Sequence, residues 1–235
     1  MIFNQYYYHP DLTASVVTLS KEESEHCVRA LRHHNGDQIL LTDGKGNVAV
    51  AVILNDSPKG CMVELTEVHA ANDKNRVRLH LAIAPTKNID RIEWLVEKSV
   101  EMGIESITFI HCDNSERPRV NMDRMNRIAI SALKQCQTSW LPPMEFIPFD
   151  EFLKKKSELL ADRFIAWCDD ENQRQLASET LQHEEVVLLI GPEGDFSPRE
   201  IASARAHDYK EVKLGNRRLR TETAGLYGCL LMATK

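Results

Sequence analysis

The stretch that most constrains this chain runs from Val77 to His111. Val77–Ala84 alternates apolar and polar residues as a strand does. Asn88–Met102 then sets Ile89, Ile92, Leu95, Val96 and Val100 on one helical face, and Gly103 stops it. Ile104–His111 reads as a strand again. A strand, a crossover helix and a strand in that order make a parallel pair. The alternation continues through a helix over 121–137, a strand near Glu145–Ile147, a helix over 149–159 and strands over 163–168 and 186–190. A helix over 198–207, a strand over 211–214 and a final helix from about 223 complete it. The pattern predicts an α/β domain built on a parallel sheet.

Before Val77 the grammar is different. Short segments rich in Val, Ile and Leu, at Val16–Leu19, Gln38–Thr42, Asn47–Leu54 and Cys61–Val68, are separated by turn signals such as Asn35-Gly36-Asp37 and Asp43-Gly44-Lys45-Gly46-Asn47. One helix interrupts them over Lys21–Leu31, with Ser20 as its N-cap. Such close strand spacing predicts a small β-barrel. The polar joint Ala70–Asn75 separates the two grammars, so the expected domains are 1–72 and 73–235.

The 235 residues carry a formal net charge of −6, which alone argues against a nucleic-acid partner. Phosphate binding follows local patches rather than totals. Arg117, Arg119, Arg124, Arg127 and Lys134 face a single acid, Asp123, in their stretch, and Lys213, Arg217, Arg218 and Arg220 face none. No apolar run approaches the roughly 20 residues that span a bilayer, so no membrane is expected and the location is expected to be cytoplasmic. The six cysteines form no CxxC pair and the nine histidines no HExxH. Reduced thiols and no metal site are the expectation.

The chemistry concentrates at two breaks. The apolar run Val186–Ile190 suits a strand buried on both faces. It ends at Gly191-Pro192-Glu193-Gly194-Asp195-Phe196, after which Ser197, Pro198 and Glu200 spell a capping box with proline at the first helical position. Open α/β sheets bind ligands in such strand-end loops. This one has neither a Walker lysine nor a GxGxxG order, and its two carboxylates would repel a pyrophosphate. A ligand without phosphate and with a positive centre suits it, and S-adenosylmethionine has both properties. The second break follows the next strand: Gly215-Asn216-Arg217-Arg218-Leu219-Arg220-Thr221-Glu222 leads into the last helix. Three arginines at a helix start call for an anionic partner.

The pairing of LIGPEG with LGNRRLRTETA resembles the ribosomal small-subunit uridine N3-methyltransferases of the SPOUT superfamily. The segments IEWLVEKSVEMGI, SERPRV and ALRHHNGD resemble further motifs of that family along the chain. The resemblance implies a PUA-like RNA-binding barrel in front of a SPOUT α/β domain. The latter would be homodimeric, with a trefoil knot over about 186–235. It implies S-adenosylmethionine as cofactor, 16S rRNA in the small ribosomal subunit as partner, and N3-methyluridine in the decoding region as product. Carried over residue by residue, the cofactor would be held by Ile190, Gly191, Pro192, Glu193 and Gly194 with Leu214, Gly215, Asn216, Leu219, Arg220 and Thr221. Asp195 departs from the family's small, glycine-like residue. Lys134 and Thr138 stand where the family carries an acid and an arginine.

Methylating N3 of uracil requires loss of an imide proton. Arg220 is the candidate for stabilising the charge that develops, and Glu222 for the base. Arg29, Arg32, Arg117, Arg119, Arg217 and Arg218 are the candidate RNA contacts. Two other readings stay open on the sequence: a SPOUT ribose 2′-O-methyltransferase acting on another RNA, and a non-catalytic RNA-binding factor of ribosome assembly.

Overall fold

The computed structural model describes residues 5–71, 74–168 and 173–235. The chain divides into two compact units, residues 1–74 together with Ile130–Leu141, and the remainder. The expected boundary at residue 73 falls outside the described residues.

In the first unit, β1 (Tyr6–Tyr8), β2 (Val16–Thr18), β3 (Gln38–Thr42), β4 (Asn47–Asn55) and β5 (Met62–Ala70) form one sheet in the order β1-β3-β4-β5-β2. It is antiparallel except where β1 runs parallel to β3. Two register shifts between β4 and β5 are the irregularities that bend a sheet toward a barrel. Its concave side buries Tyr7, Ile39, Leu41, Ile53, Cys61 and Val63. The expected helix from Lys21 is α1 (Lys21–Glu25), capped by the Ser20 side chain as its residue type predicts. It does not run on as α-helix: His26–Ala30 is a π-turn, a local widening common where helices meet special demands.

The second unit is built on six parallel strands: β6 (Arg78–Ile83), β7 (Ser106–His111), β8 (Met144–Pro148), β9 (Asp162–Ala166), β10 (Glu185–Ile190) and β11 (Lys210–Val212). Their order is β11-β9-β10-β6-β7-β8. The helices are α2 (Ile89–Glu101), α3 (Met122–Cys136), α4 (Phe149–Lys156), α5 (Pro198–Ala206) and α6 (Thr221–Ala233), with the end of α3, from Ile130, grouped in the first unit. Side-chain alternation along the strands sorts the helices into two layers. Ala82, Val187, Leu189 and Ile165 pack with Phe149 and Phe152 of α4 and Ile201 and Ala204 of α5. On the opposite face Leu188 and Ile83 meet the glycines of α6. At the N-terminal rim, His80 bonds Ser106 Oγ and Glu185 Oε2, both at 2.7 Å. Burial, followed by the Lys156 charge, holds its imidazole below the usual range.

Element ends moved where periodicity is least informative. Helix α4 stops at Lys156 rather than 159, β9 ends at Ala166 rather than 168, and α6 starts at Thr221 rather than 223. The short strand β1 carries no alternation long enough to be read from sequence.

Candidate functional site

The chain walks outward from β6 through β7 to β8, then returns to lay β9 and β11 on the other side with β10 inserted between β9 and β6. Such a reversal opens a crevice at the strands' carboxyl ends. Register sets Ile83, Ile190, Ala166 and Val212 in one row across that rim, and the loops above it enclose a cavity of about 740 Å³.

Gly191 and Gly215 line this same cavity. So do Ile190, Pro192, Glu193, Leu214, Asn216, Leu219, Arg220 and Thr221, which is every residue of the expected cofactor loops except Gly194. Gly194 lies against Asn114, whose Nδ2 donates to the Gly194 carbonyl at 3.3 Å. The two loops are tied directly: Thr221 Oγ1 donates to the Gly191 carbonyl at 3.3 Å. The strands that carry them, β10 and β11, are consecutive in sequence but not neighbours in the sheet. β9 lies between them, so Ala166, Trp167 and Cys168 also line the cavity. Sequence reasoning missed these residues because strand order is not written in local pattern. Arg91, from the start of α2, was missed for the same reason.

Local chemistry explains how the loops hold their shape. The capping box forms as its letters predict: Ser197 Oγ accepts from Glu200 N at 3.3 Å, and Glu200 Oε2 accepts from Ser197 N at 2.8 Å. The same buried Glu200 takes Asp113 N on its other oxygen at 2.9 Å, which fixes the loop after β7 to the loop after β10. Arg199 and Ser197 hold the Asp113 carboxyl below its usual range. Asp195, the departure from the family's small residue, has φ +63°, a left-handed conformation that aspartate tolerates better than most residues. Its two carboxylate oxygens accept Cys168 N at 3.0 Å and Phe196 N at 2.8 Å. Gly215, at φ +123°, sits where an L side chain would be strained.

Glu222 stands in the first turn of α6 and is 7% exposed. Arg91 Nε lies 3.9 Å from its Oε1, while Oε2 has no hydrogen-bond partner among the described residues. A buried carboxylate oxygen left unpaired costs free energy, so it marks a place for a ligand's donor. Arg217, Arg218 and Arg220 line the cavity and are exposed, with no ion pair among the described residues.

The other basic candidates do not gather at this cavity. Arg29 and Arg32 belong to the first unit and are exposed, Arg29 lying 3.5 Å from Glu25. Arg117 donates from Nε to the Thr86 carbonyl at 3.0 Å and from Nη2 to that of Lys87 at 2.5 Å, bracing the loop after β6. Arg119 is exposed. Among the described residues no group of His, Cys, Asp and Glu could hold a metal ion, and no helix is long and apolar enough to cross a membrane.

Comparison with known proteins gives this arrangement a lineage. Residues 73–233 match the model of an RNA methyltransferase domain, and residues 19–66 that of an RNA methyltransferase PUA domain. The ribosomal RNA small subunit methyltransferase E of Synechocystis is 29% identical over 215 residues, covering 89% of this chain and 70% of that protein. A solved protein of Porphyromonas gingivalis, described as a probable rRNA-methyltransferase, superposes with a TM-score of 0.88 at 38% identity over 98% of this chain and 97% of that one. A Legionella pneumophila protein described as a methyltransferase, solved with the bound cofactor SAM, gives 0.85 at 27% identity over 97% and 96%. This chain therefore belongs to the RNA methyltransferase family, with an RNA methyltransferase PUA domain ahead of its RNA methyltransferase domain.

Proposed function

We propose that this protein methylates N3 of a uridine in the decoding region of 16S rRNA, within the small ribosomal subunit, using S-adenosylmethionine. One observation carries the reading: the two strand-end loops close on one cavity that sets beside arginines a buried carboxylate, one oxygen of which has no hydrogen-bond partner among the described residues. The names of the relatives support the RNA class, and the Legionella complex supports the donor.

The residues present fit that donor. The cavity is within the size range of small-molecule sites. Ile190, Leu214 and Leu219 offer apolar contacts to a planar ring, and the loop backbone offers edge hydrogen bonds. Glu193 disfavours pyrophosphate but not a sulfonium. When bound, S-adenosylmethionine supplies a methyl group already activated by that sulfonium. The chain's own task is alignment and removal of a proton. Glu222 accepts the imide proton of N3 on its unpartnered oxygen, with Arg91 as counter-charge on the other. Arg220 faces the uracil carbonyls and stabilises the negative charge that develops there. N3 lies on the pairing edge, so the uridine enters unpaired or flipped out. Arg217, Arg218, Arg29, Arg32 and Arg119, with Arg117, contact phosphates in the cytoplasmic small subunit.

Two further properties belong to this reading. Helix α6 (TETAGLYGCLLMA) is apolar on every side, yet Leu230 is 51% exposed, as is Trp94 of α2 at 43%. An all-apolar helix requires cover, and a second copy of the chain supplies it in a homodimer. The trefoil knot is supported by the path of the chain after β11. Lys213 N donates to the Arg174 carbonyl at 2.8 Å and Leu176 N to that of Lys213 at 3.0 Å. The strand leading to α6 therefore runs along the connection between β9 and β10.

Primer extension on small-subunit RNA tests the regiochemistry. A stop at one decoding-region uridine should appear with the gene and vanish without it, since N3-methylation blocks the pairing edge. A modification that lets the polymerase pass would indicate ribose methylation and overturn the N3 assignment. Arg220→Ala should cut methylation by about 100-fold or more with donor affinity retained. Unchanged turnover would remove Arg220 from the mechanism.

A further inference from the structure

The amino ends of the parallel strands, at the opposite rim from the cavity, gather polar groups that methyl transfer does not use. His80 on β6, Ser106 opening β7, Glu185 opening β10 and Lys156 closing α4 meet there. His80 Nε2 pairs with Glu185 Oε2 and its Nδ1 with Ser106 Oγ, both at 2.7 Å. Lys156 Nζ donates to the same Nδ1 at 3.3 Å. Arg78 Nε donates to the other Glu185 oxygen at 2.6 Å. Against the upward push of burial, Arg78 and His80 keep the Glu185 carboxyl below its usual range, so it stays ionised and can only accept. The proton of the neutral imidazole therefore sits on Nε2, and the Nδ1 lone pair faces the Lys156 amine.

Burial, with the Lys155 charge adding to it, holds the Lys156 amine below the usual lysine range, against the carboxylates of Glu145, Glu185 and Glu105. Such a lysine is more often a neutral amine than an ordinary surface lysine at the same pH, and the neutral amine is the form that attacks carbonyl carbon. Ser106 shares the imidazole nitrogen but is buried, whereas Lys156 is partly exposed. We propose that Lys156 is an acylation site that takes a small acyl group from an acyl phosphate or acyl thioester, with His80 as its base and Glu185 positioning the imidazole. The Lys156 nitrogen bonds the acyl carbon, and the bond from that carbon to phosphate oxygen or thiol sulfur breaks. The leaving group departs with the electron pair, and the proton shed by nitrogen passes to His80 Nδ1. The product is an uncharged amide. His80, held down by burial and then by the Lys156 charge, loses the second of these. The site is independent of the methyl-transfer reading.

Timed incubation of the full chain with acetyl phosphate, and in parallel with acetyl-coenzyme A, tests the site by peptide mass spectrometry. Lys154, exposed on the same helix, is the internal control. In the folded chain Lys156 should acetylate about tenfold faster than Lys154, a modest share of what a positioned base contributes. In urea the two lysines should react alike. Preference for Lys156 with only one of the two reagents would assign the site to that acyl class. His80→Gln, checked as folded by circular dichroism, should bring Lys156 down to the Lys154 rate, and Glu185→Gln should fall between. In an NMR titration the His80 imidazole should titrate at higher pH after acetylation, because a positive neighbour has been removed. Equal rates at the two lysines in the folded chain with both reagents would overturn the proposal, and this comparison needs no variant. So would a preference that persists in urea, one that a folded His80→Gln chain retains, or an unmoved His80 titration.

Discussion

At the scale of single residues, departures from the family pattern find specific partners. Lys134, where the resemblance leads one to expect an acid, forms an ion pair with Glu23. The two side chains are only 14% and 6% exposed, and the other Glu23 oxygen accepts Tyr8 N at 3.3 Å. The pair ties the end of α3 to α1 and β1 within the first unit. Removing one partner leaves the other charge buried, which costs about 3–5 kcal/mol. Lys134→Ala should lower stability by about 3 kcal/mol in urea unfolding, whereas Lys134→Met with Glu23→Leu should recover most of it. Asp195 was visible in the sequence as a departure. Its role as a staple between two loops depends on Cys168, 27 positions away, and no local signal carries that.

At the scale of elements, sequence pattern performed best where one helix turn or one strand contains its own reason. The Ser197–Glu200 capping box and the stop at Gly103 are closed by residues within a turn of each other. The same pattern is silent on why α6 carries Gly225 and Gly228, since its apolar residues wind all the way round. The structure supplies the reason: a Cβ on Gly228 would sit 2.4 Å from Leu188 Cδ2, and one on Gly225 3.0 Å from Ile83 Cδ1. These glycines let α6 lie close on β10 and β6. Gly228→Ala gains about 1 kcal/mol of helix propensity but overpacks a site where Leu188 is fully buried, at about 1–3 kcal/mol. The melting temperature should fall, and Leu188→Val in the same chain should restore part of it.

At the scale of the whole molecule, the proposed homodimer makes α6 the element whose inner face closes the cavity wall and whose outer face needs a partner. Leu230→Glu should shift the chain toward monomer in light scattering, with the far-ultraviolet circular dichroism unchanged. A wild-type chain that is monomeric at micromolar concentration would remove the dimer from the reading. The sequence by itself determined the two grammars, the parallel α/β class and the two breaks. Each of these depends on periodicity, caps and charges within about a dozen neighbours. Only the tertiary structure decided that β9 separates β10 from β11, that Trp167 and Arg91 line the same cavity, and that one Glu222 oxygen is buried without a hydrogen-bond partner among the described residues. Strand order and burial arise from packing between segments as much as a hundred residues apart, and a local pattern carries no record of which segment lies beside which.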